Sequence, residues 1–133
     1  MAGFRIARDA FDSAVAHAHE AAPAECCGLL IGREGRIVSA VRARNLQEEM
    51  DRFLIDPKDH IEALRNARAQ GLEILGFYHS HPHSAAQPSL ADLEEASYRD
   101  HLHLIVGLVS GTVDVRLYAM GDGAWKEIPL TSD

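Results

Sequence analysis

The chain has little cysteine, little positive charge and no long apolar run, and each shortage argues against a class of protein. Its two cysteines are adjacent, at positions 26 and 27, so they give no disulfide framework. Asp and Glu number 20 against 13 Lys and Arg, and the net charge of −7 argues against nucleic-acid binding. No stretch is apolar for the length of a membrane span, and residues 1–12 lack a signal-peptide pattern. We therefore expect a cytoplasmic protein with no nucleic-acid or membrane partner.

The two cysteines themselves are predicted to be structural. Neighbouring residues on a strand point to opposite faces of the sheet, so Cys26 and Cys27 are poorly placed to bridge each other. Unpaired cysteine is among the residue types that proteins bury most often. We expect one buried thiol and one neighbour on the other face.

The length and the apolar content suit one domain with a sizeable core. The chain has 133 residues, of which 47% are hydrophobic, and we assign 1–133 to a single domain. Helices are predicted over 6–22, 57–70 and 90–99, the second capped by Asp56 with Ile61, Leu64 and Ala67 inward. Strands are predicted over 27–32, 37–44, 52–56, 73–81, 101–110, 113–120 and 124–130. This order indicates an α/β fold in which helices pack on a mixed sheet.

One strand ends in a pair of histidines. The run from Glu73 to Tyr78 predicts a buried strand. His79 and His81 lie on its continuation, two positions apart. Residues two apart on a strand point the same way, so both imidazoles face one side and are close enough to hold one ion. Pro82 ends the strand because it cannot donate to a sheet ladder.

A serine and an aspartate follow the histidines at helix-start spacing. Ser89 is predicted to cap the next helix, with Asp92 in its first turn, facing the histidine pair. Two imidazoles and one carboxylate suit zinc, and three protein ligands leave a fourth position for water, as in catalytic sites. The base for such a water is still needed, and Glu25 is the candidate.

Each of these residues also has a purely structural interpretation. His79 and His81 could be core histidines, and Ser89 and Asp92 have the spacing of a purely structural capping box. Glu25 could be a surface residue ahead of a strand. The convergence of three ligand types favours the metal site.

The other histidines are predicted to be structural or solvated. His101 and His103 have the same spacing on a strand as the metal pair, but no capped carboxylate follows them. His17 and His19 face different ways on a helix and are interpreted as solvated. His83 is interpreted as a loop residue, with a place at the rim of the site as the alternative.

These residues together resemble a known family. Glu-x-Cys-Gly-Leu-Leu at 25–30, His-Ser-His-Pro at 79–82, seven residues at 82–88 and Ser-x-x-Asp at 89–92 look like the JAMM (MPN+) zinc metalloprotease family in its small bacterial form. The resemblance runs from about the first helix through the helix of Asp92. It implies a mostly antiparallel mixed sheet sandwiched by helices, with layering like that of cytidine deaminases.

The resemblance also implies the role of each site residue. His79, His81 and Asp92 would bind one zinc ion that carries a catalytic water. Glu25 would act as general base and then general acid, and Ser89 would help to stabilise the oxyanion. Cys27 matches a cysteine that small bacterial members often have there.

The substrate class follows from the resemblance alone. Members of the family cut peptide or isopeptide bonds after the C-terminal tail of ubiquitin or ubiquitin-like proteins. This chain is close to the minimal domain, so a ubiquitin-like sulfur-carrier protein is the expected partner, its tail adding to a strand edge near 52–55. The alternatives are a zinc hydrolase of small peptides or amides and a non-catalytic scaffold module.

Overall fold

The computed structural model describes residues 3–47, 53–88, 101–121 and 124–133. Within these ranges, the helices are α1 (Arg8–Ala21) and α2 (Pro57–Ala69), and a 3₁₀ turn covers Val109–Gly111. The strands are β1 (Phe4–Ile6), β2 (Cys27–Arg33), β3 (Arg36–Ala43), β4 (Glu73–His81), β5 (Leu102–Gly107), β6 (Asp114–Gly121), β7 (Ala124–Ile128) and β8 (Leu130–Ser132). The predicted helix over 90–99, together with Ser89 and Asp92, lies outside the described residues.

The eight strands form one mixed sheet in the order β7-β6-β5-β4-β2-β3-β1-β8. Neighbours are antiparallel except where β4 meets β5 and where β1 meets β3 and β8. A single residue, Pro129, separates the two outer strands along the chain. The sheet therefore curls until its two edges lie close together, and the predicted α/β class with a mostly antiparallel sheet is confirmed.

Helix α1 packs inside this curl against one face of the sheet. Its buried residues are Ala10, Ala14 and Ala18, spaced four apart and therefore on one side of the helix. Small side chains let the helix approach the strands closely. The predicted helix began at Ile6, but Ile6 is the fully buried last residue of β1, which pairs with β3 and β8. Ladder hydrogen bonds on both sides of β1 therefore override the helical pattern.

Helix α2 covers the opposite face. The Asp56 side chain accepts a hydrogen bond from the Lys58 N–H at 2.9 Å, and Gly71 ends the helix region at φ 72°, as the sequence predicted. The inward residues are Ala63 and Ala67, whereas Ile61, predicted to face the core, is 53% exposed. Ile61 lies about 200° around the helix axis from Ala63, so it faces solvent when the two alanines face the sheet.

In the predicted strand over 52–56, the described residues 53–56 form a single bridge instead of a strand. Ile55 pairs with Asn45 in an isolated antiparallel bridge. The Asn45 side-chain oxygen accepts from the Leu54 N–H at 2.9 Å and from the Gln47 N–H at 3.0 Å. The Asn45 side chain thus accepts hydrogen bonds that a backbone carbonyl would accept in a regular strand pair. Pairing in the described residues therefore ends after one bridge. The strand edge near 52–55 was predicted to receive the substrate tail. In its described part, one side is already hydrogen-bonded to the backbone of residues 44–46.

The last strand differs from its predicted range, whereas the cysteine pair agrees with its prediction. The last strand, predicted over 124–130, is divided by Pro129, whose carbonyl accepts from the Phe4 N–H at 2.9 Å as the chain crosses to β1. Cys26 and Cys27 are both buried and not bridged, and they lie on opposite faces of the sheet. No helix in the described ranges has the length and apolar character needed to pass through a lipid bilayer.

Candidate metal centre

The end of β4 carries His79 and His81 on the face that α2 covers. The strand alternates faces, so Tyr78 and Ser80 point to the α1 side while the two histidines point to the other. His79 is 0% exposed and His81 is 4% exposed. Two imidazoles are thus removed from bulk water at one end of the sheet.

The distance between the two rings fits a shared ion. His79 Nε2 and His81 Nε2 are 3.2 Å apart. Two nitrogens bound at about 2.0–2.1 Å to one tetrahedral zinc would be roughly 3.3 Å apart. The described part of the site therefore fits the metal that the sequence motif implies.

The ring of His81 is held by a hydrogen bond at its Nδ1 atom. Its Nδ1 lies 2.9 Å from the Ala85 carbonyl oxygen. A carbonyl can only accept, so the proton is on Nδ1, and the Nε2 lone pair faces His79. Metal-binding histidines commonly have such a partner on the second nitrogen, which sets the tautomer and the orientation.

The ring of His79 is held by stacking. The Phe53 ring lies 4.4 Å from it between centroids, at an interplanar angle of 20°. Phe53 is 2% exposed and belongs to the core beneath α2. This contact was not anticipated from the sequence, because Phe53 is far from the motif and no spacing pattern links it to the histidines.

Glu25 lies at the same end of the sheet. Cys27 pairs with His79, and the Ser80 N–H donates to the Cys26 carbonyl at 3.2 Å. Continued by one residue, this register sets Glu25 opposite His81, on the face that carries both imidazoles. Glu25 is only 7% exposed, so the alternative of a surface residue is wrong. Burial of a carboxylate is costly and is typical of functional positions.

Ser80 holds the backbone next to Glu25 from the opposite face of the sheet. Its hydroxyl accepts from the Cys26 N–H at 2.9 Å, and Ser80 is fully buried. The prediction that Ser80 points away from the histidines is correct, and the hydroxyl also holds the backbone next to Glu25. The Asn45 amide donates to the Glu25 carbonyl at 3.1 Å, which gives that backbone a second support.

The cysteines are not equipped for thiolate chemistry. Burial raises the pKa of Cys26 to about 11 and that of Cys27 to about 12. Both thiols therefore keep their protons at neutral pH, and a protonated thiol is a poor nucleophile. This agrees with the structural role predicted for the pair.

Two predicted site residues remain, the metal ligand Asp92 and the oxyanion donor Ser89. Ser89 and Asp92 lie outside the described residues. Among the residues that are described, no three His, Cys, Asp or Glu side chains form a group that could hold a metal. The structure thus brings together two of the three expected ligands, His79 and His81, and strand register sets Glu25 at the same end of the sheet. The third ligand and the catalytic roles stay predictions.

The other histidines differ in their surroundings. His17, predicted to be solvated, is half-buried, and its Nδ1 lies 2.7 Å from the Tyr78 hydroxyl. His103 is 3% exposed and packs edge-on against Trp125, with ring centroids 4.7 Å apart. His83 is exposed in the loop after β4, as expected for a loop residue.

Comparison with known proteins gives three informative relatives. A desampylase of Haloferax volcanii is 37% identical over 107 residues, covering 75% of this chain and 77% of the relative. A probable TtuB-protein conjugate cleaving protease of Thermus thermophilus is 30% identical over 126 residues, 94% of this chain and 80% of the relative. A CysO-cysteine peptidase of Mycobacterium bovis is 29% identical over 128 residues, 94% of this chain and 88% of the relative.

Solved structures share the fold. The solution structure of a protein from Desulfitobacterium hafniense has a TM-score of 0.89 at 27% identity, covering 98% of this chain and 92% of that one. A structure described as "JAMM: A Metalloprotease-like Zinc Site in the Proteasome and Signalosome" has a TM-score of 0.62 at 21% identity, covering 98% and 97%, and shows the fold alone. The family described as prokaryotic homologs of the JAB domain matches residues 7–120. The chain therefore belongs to the family of prokaryotic homologues of the JAB domain.

Proposed function

We propose that this chain is a zinc-dependent peptidase that cleaves the bond following the C-terminal tail of a ubiquitin-like sulfur-carrier protein. The observation that carries the proposal is the pair of buried imidazoles, His79 and His81, whose Nε2 atoms are 3.2 Å apart. Buried Glu25 supports it, because the register of β2 and β4, when continued beyond Cys27, sets Glu25 on the same face. Family membership and a zinc site among the structural relatives support zinc as the metal.

In this proposal His79, His81 and Asp92 hold one zinc ion per chain. When bound, zinc supplies an acidified water and polarises the scissile carbonyl. His81 contributes a neutral ring whose Nε2 lone pair is presented by the Nδ1–H···O=C bond to Ala85. His79 contributes a ring whose tilt is restricted by Phe53.

Glu25 moves the proton in the proposed reaction. Its carboxylate takes a proton from the attacking water and returns it to the leaving amine, so that no covalent bond to the enzyme forms. Its low exposure keeps bulk water from competing for that proton. The Ser89 hydroxyl is proposed as a donor to the oxyanion of the tetrahedral intermediate.

The substrate class rests on the relatives and on the motif. Their names describe cleavage of TtuB–protein conjugates and action on CysO–cysteine, which are adducts of a named protein. This fits the ubiquitin-like sulfur-carrier substrate that the family resemblance implies. The cytoplasmic location and the assignment of all 133 residues to one domain stay predictions.

The decisive test replaces Glu25 by Gln. Glu25→Gln keeps the size and polarity of the side chain but removes its basicity. We expect full zinc content and a turnover reduced about 10²- to 10⁴-fold on a ubiquitin-like sulfur-carrier protein extended at its C-terminus by cysteine. Zinc is measured by elemental analysis, and release of cysteine by chromatography.

Two controls sharpen this test. Glu62→Gln changes an exposed carboxyl on α2 and should leave turnover unchanged. His79→Ala should lose the zinc.

Wild-type turnover in Glu25→Gln would reject Glu25 as the base. Absence of stoichiometric zinc and of cleavage in the wild type would favour a scaffold module. Faster cleavage of an aminoacyl anilide than of the carrier adduct would favour a hydrolase of small amides.

A further inference from the structure

The loop that follows the histidines is fastened to the sheet through two consecutive carbonyls. The Ala85 carbonyl accepts from His81 Nδ1 at 2.9 Å, and the Ala86 carbonyl accepts from the Tyr118 hydroxyl at 2.7 Å. Two consecutive peptide units thus connect the Nδ1 side of a proposed zinc ligand to a side chain of β6. Tyr118 is far from the sequence motif and has no role in the function proposed above.

Ala86 is seated tightly as well as hydrogen-bonded. It is fully buried in a small cluster with Ile105 and Tyr118. A Cβ atom added to Gly107 would lie 2.8 Å from the Ala86 nitrogen. Gly107 pairs with His81 across β4 and β5, so the loop lies directly on the strand beside the histidine. A glycine is required here by this close approach.

Tyr118 is placed to act as a permanent donor. It is 6% exposed and pairs with His103 on the neighbouring strand β5, on the face of the sheet that carries the histidine pair. Burial raises the pKa of its phenol, so the hydroxyl keeps its proton at neutral pH. The Ala86 carbonyl can only accept, which fixes the direction of this hydrogen bond.

We propose that Tyr118 is a positioning residue of the metal centre, which holds the Ala86 carbonyl and thereby keeps the Ala85 carbonyl against His81 Nδ1. This inference rests on the proposed role of His81 as a zinc ligand. Without the Tyr118 hydroxyl, the loop loses one of its attachments to the sheet, and His81 can exchange its Nδ1–H tautomer for the Nε2–H tautomer. The Nε2–H tautomer has no lone pair to offer a metal. Loss of the group that hydrogen-bonds a ligand directly typically weakens metal binding 10- to 100-fold, and Tyr118 acts through that group, so we expect the lower end of this range.

The test is Tyr118→Phe, with Tyr78→Phe as the matched control. Both tyrosines are buried in the sheet, and each has a hydroxyl in a 2.7 Å hydrogen bond. The Tyr78 hydroxyl contacts His17 on the α1 face, away from the histidine pair. Zinc affinity is measured by competition with a chromophoric chelator, and circular dichroism verifies that each metal-free variant is folded. We expect the zinc dissociation constant to rise about tenfold in Tyr118→Phe and to stay within about twofold of wild type in Tyr78→Phe.

A second measurement reports on His81 directly. Nitrogen-15 NMR of metal-free protein with labelled imidazoles should show the Nδ1–H tautomer for His81 in the wild type and in Tyr78→Phe, and a mixture in Tyr118→Phe. Equal zinc affinity and equal tautomer populations in the two variants would overturn the role of Tyr118. Equal affinity in the wild type and in His79→Ala would instead reject the metal assignment itself, and the two failures are thereby distinguished.

Discussion

At the scale of single residues, the metal centre depends on the alternation of side chains along β4. Tyr78 and Ser80 face α1, while His79 and His81 face the metal side, so consecutive side chains serve two different environments. The sequence predicted this alternation, because a period of two is a property of any strand. It could not predict Phe53 against His79, because that contact joins segments distant in the chain.

Ser80 is expected to affect the reaction without touching zinc. Ser80→Ala leaves the buried Cys26 N–H without its present acceptor, which should cost about 1–3 kcal/mol of unfolding free energy. Because Cys26 adjoins Glu25, we also expect turnover to fall while zinc content is retained. Urea unfolding and kcat of the zinc-loaded protein test this.

The conservative variant separates positioning from packing. Ser80→Thr keeps a hydroxyl at the same place and should recover most of kcat. If Ser80→Ala had the kcat of the wild type, the Ser80 hydroxyl would have no influence on Glu25.

At the scale of elements, sequence patterns located the strands better than the faces of helices. The range 73–81 of β4 was predicted correctly, since a buried apolar run ends there at a proline. Helix α2 was correctly capped by Asp56, but its inward face was only partly right, because Ala67 is buried as predicted whereas Ile61 is exposed. Ile61 and Leu64 carry more apolar surface than Ala63, yet the closeness of the sheet selects the alanines.

This packing makes α2 sensitive to added volume on one side only. Ala67 is 1% exposed and belongs to the core cluster that contains Phe77 and Phe53. Ala67→Leu forces extra atoms into a filled space and should lower the unfolding free energy by about 1–3 kcal/mol. Ile61→Ala, at a 53% exposed position, should change it by no more than about 0.5 kcal/mol.

Urea unfolding of both α2 variants checks these values. A larger loss in Ile61→Ala than in Ala67→Leu would mean that α2 presents its other side to the sheet.

At the scale of the whole molecule, the stability of the fold should fall in mild acid. Burial, followed by the charge of Arg42, lowers the pKa of His17 below its usual 6.5, and Glu20 opposes this. The unfolded chain then binds a proton below about pH 6.5 that the folded protein resists, so unfolding free energy falls as pH falls below that value. His60 acts in the same direction, because burial and His101 lower its pKa.

Urea unfolding of metal-free protein between pH 7.5 and pH 5 measures this dependence. His17→Gln removes one titrating group, so its unfolding free energy should change less over that range than that of the wild type. An equal slope in the two proteins would show that His17 does not contribute to the acid sensitivity.

The family and its layered architecture could be predicted from the motif, but the closure of the sheet could not. Closure depends on β1 and β8, two strands of three residues each, which are too short to show a period. Pro129 carries the chain from one edge to the other. Ion pairs from Arg5 and Arg36 to Asp133 then hold the last residues against the first strands.

The curled sheet has a consequence for self-association. Its outer strands, β7 and β8, have five and three residues, and a proline lies between them. Long flat borders are the usual templates on which further copies of a chain stack into fibrils, and short ones next to proline are poor templates. We infer that the native state resists amyloid-like assembly at these borders, and that any aggregation on heating begins from opened molecules.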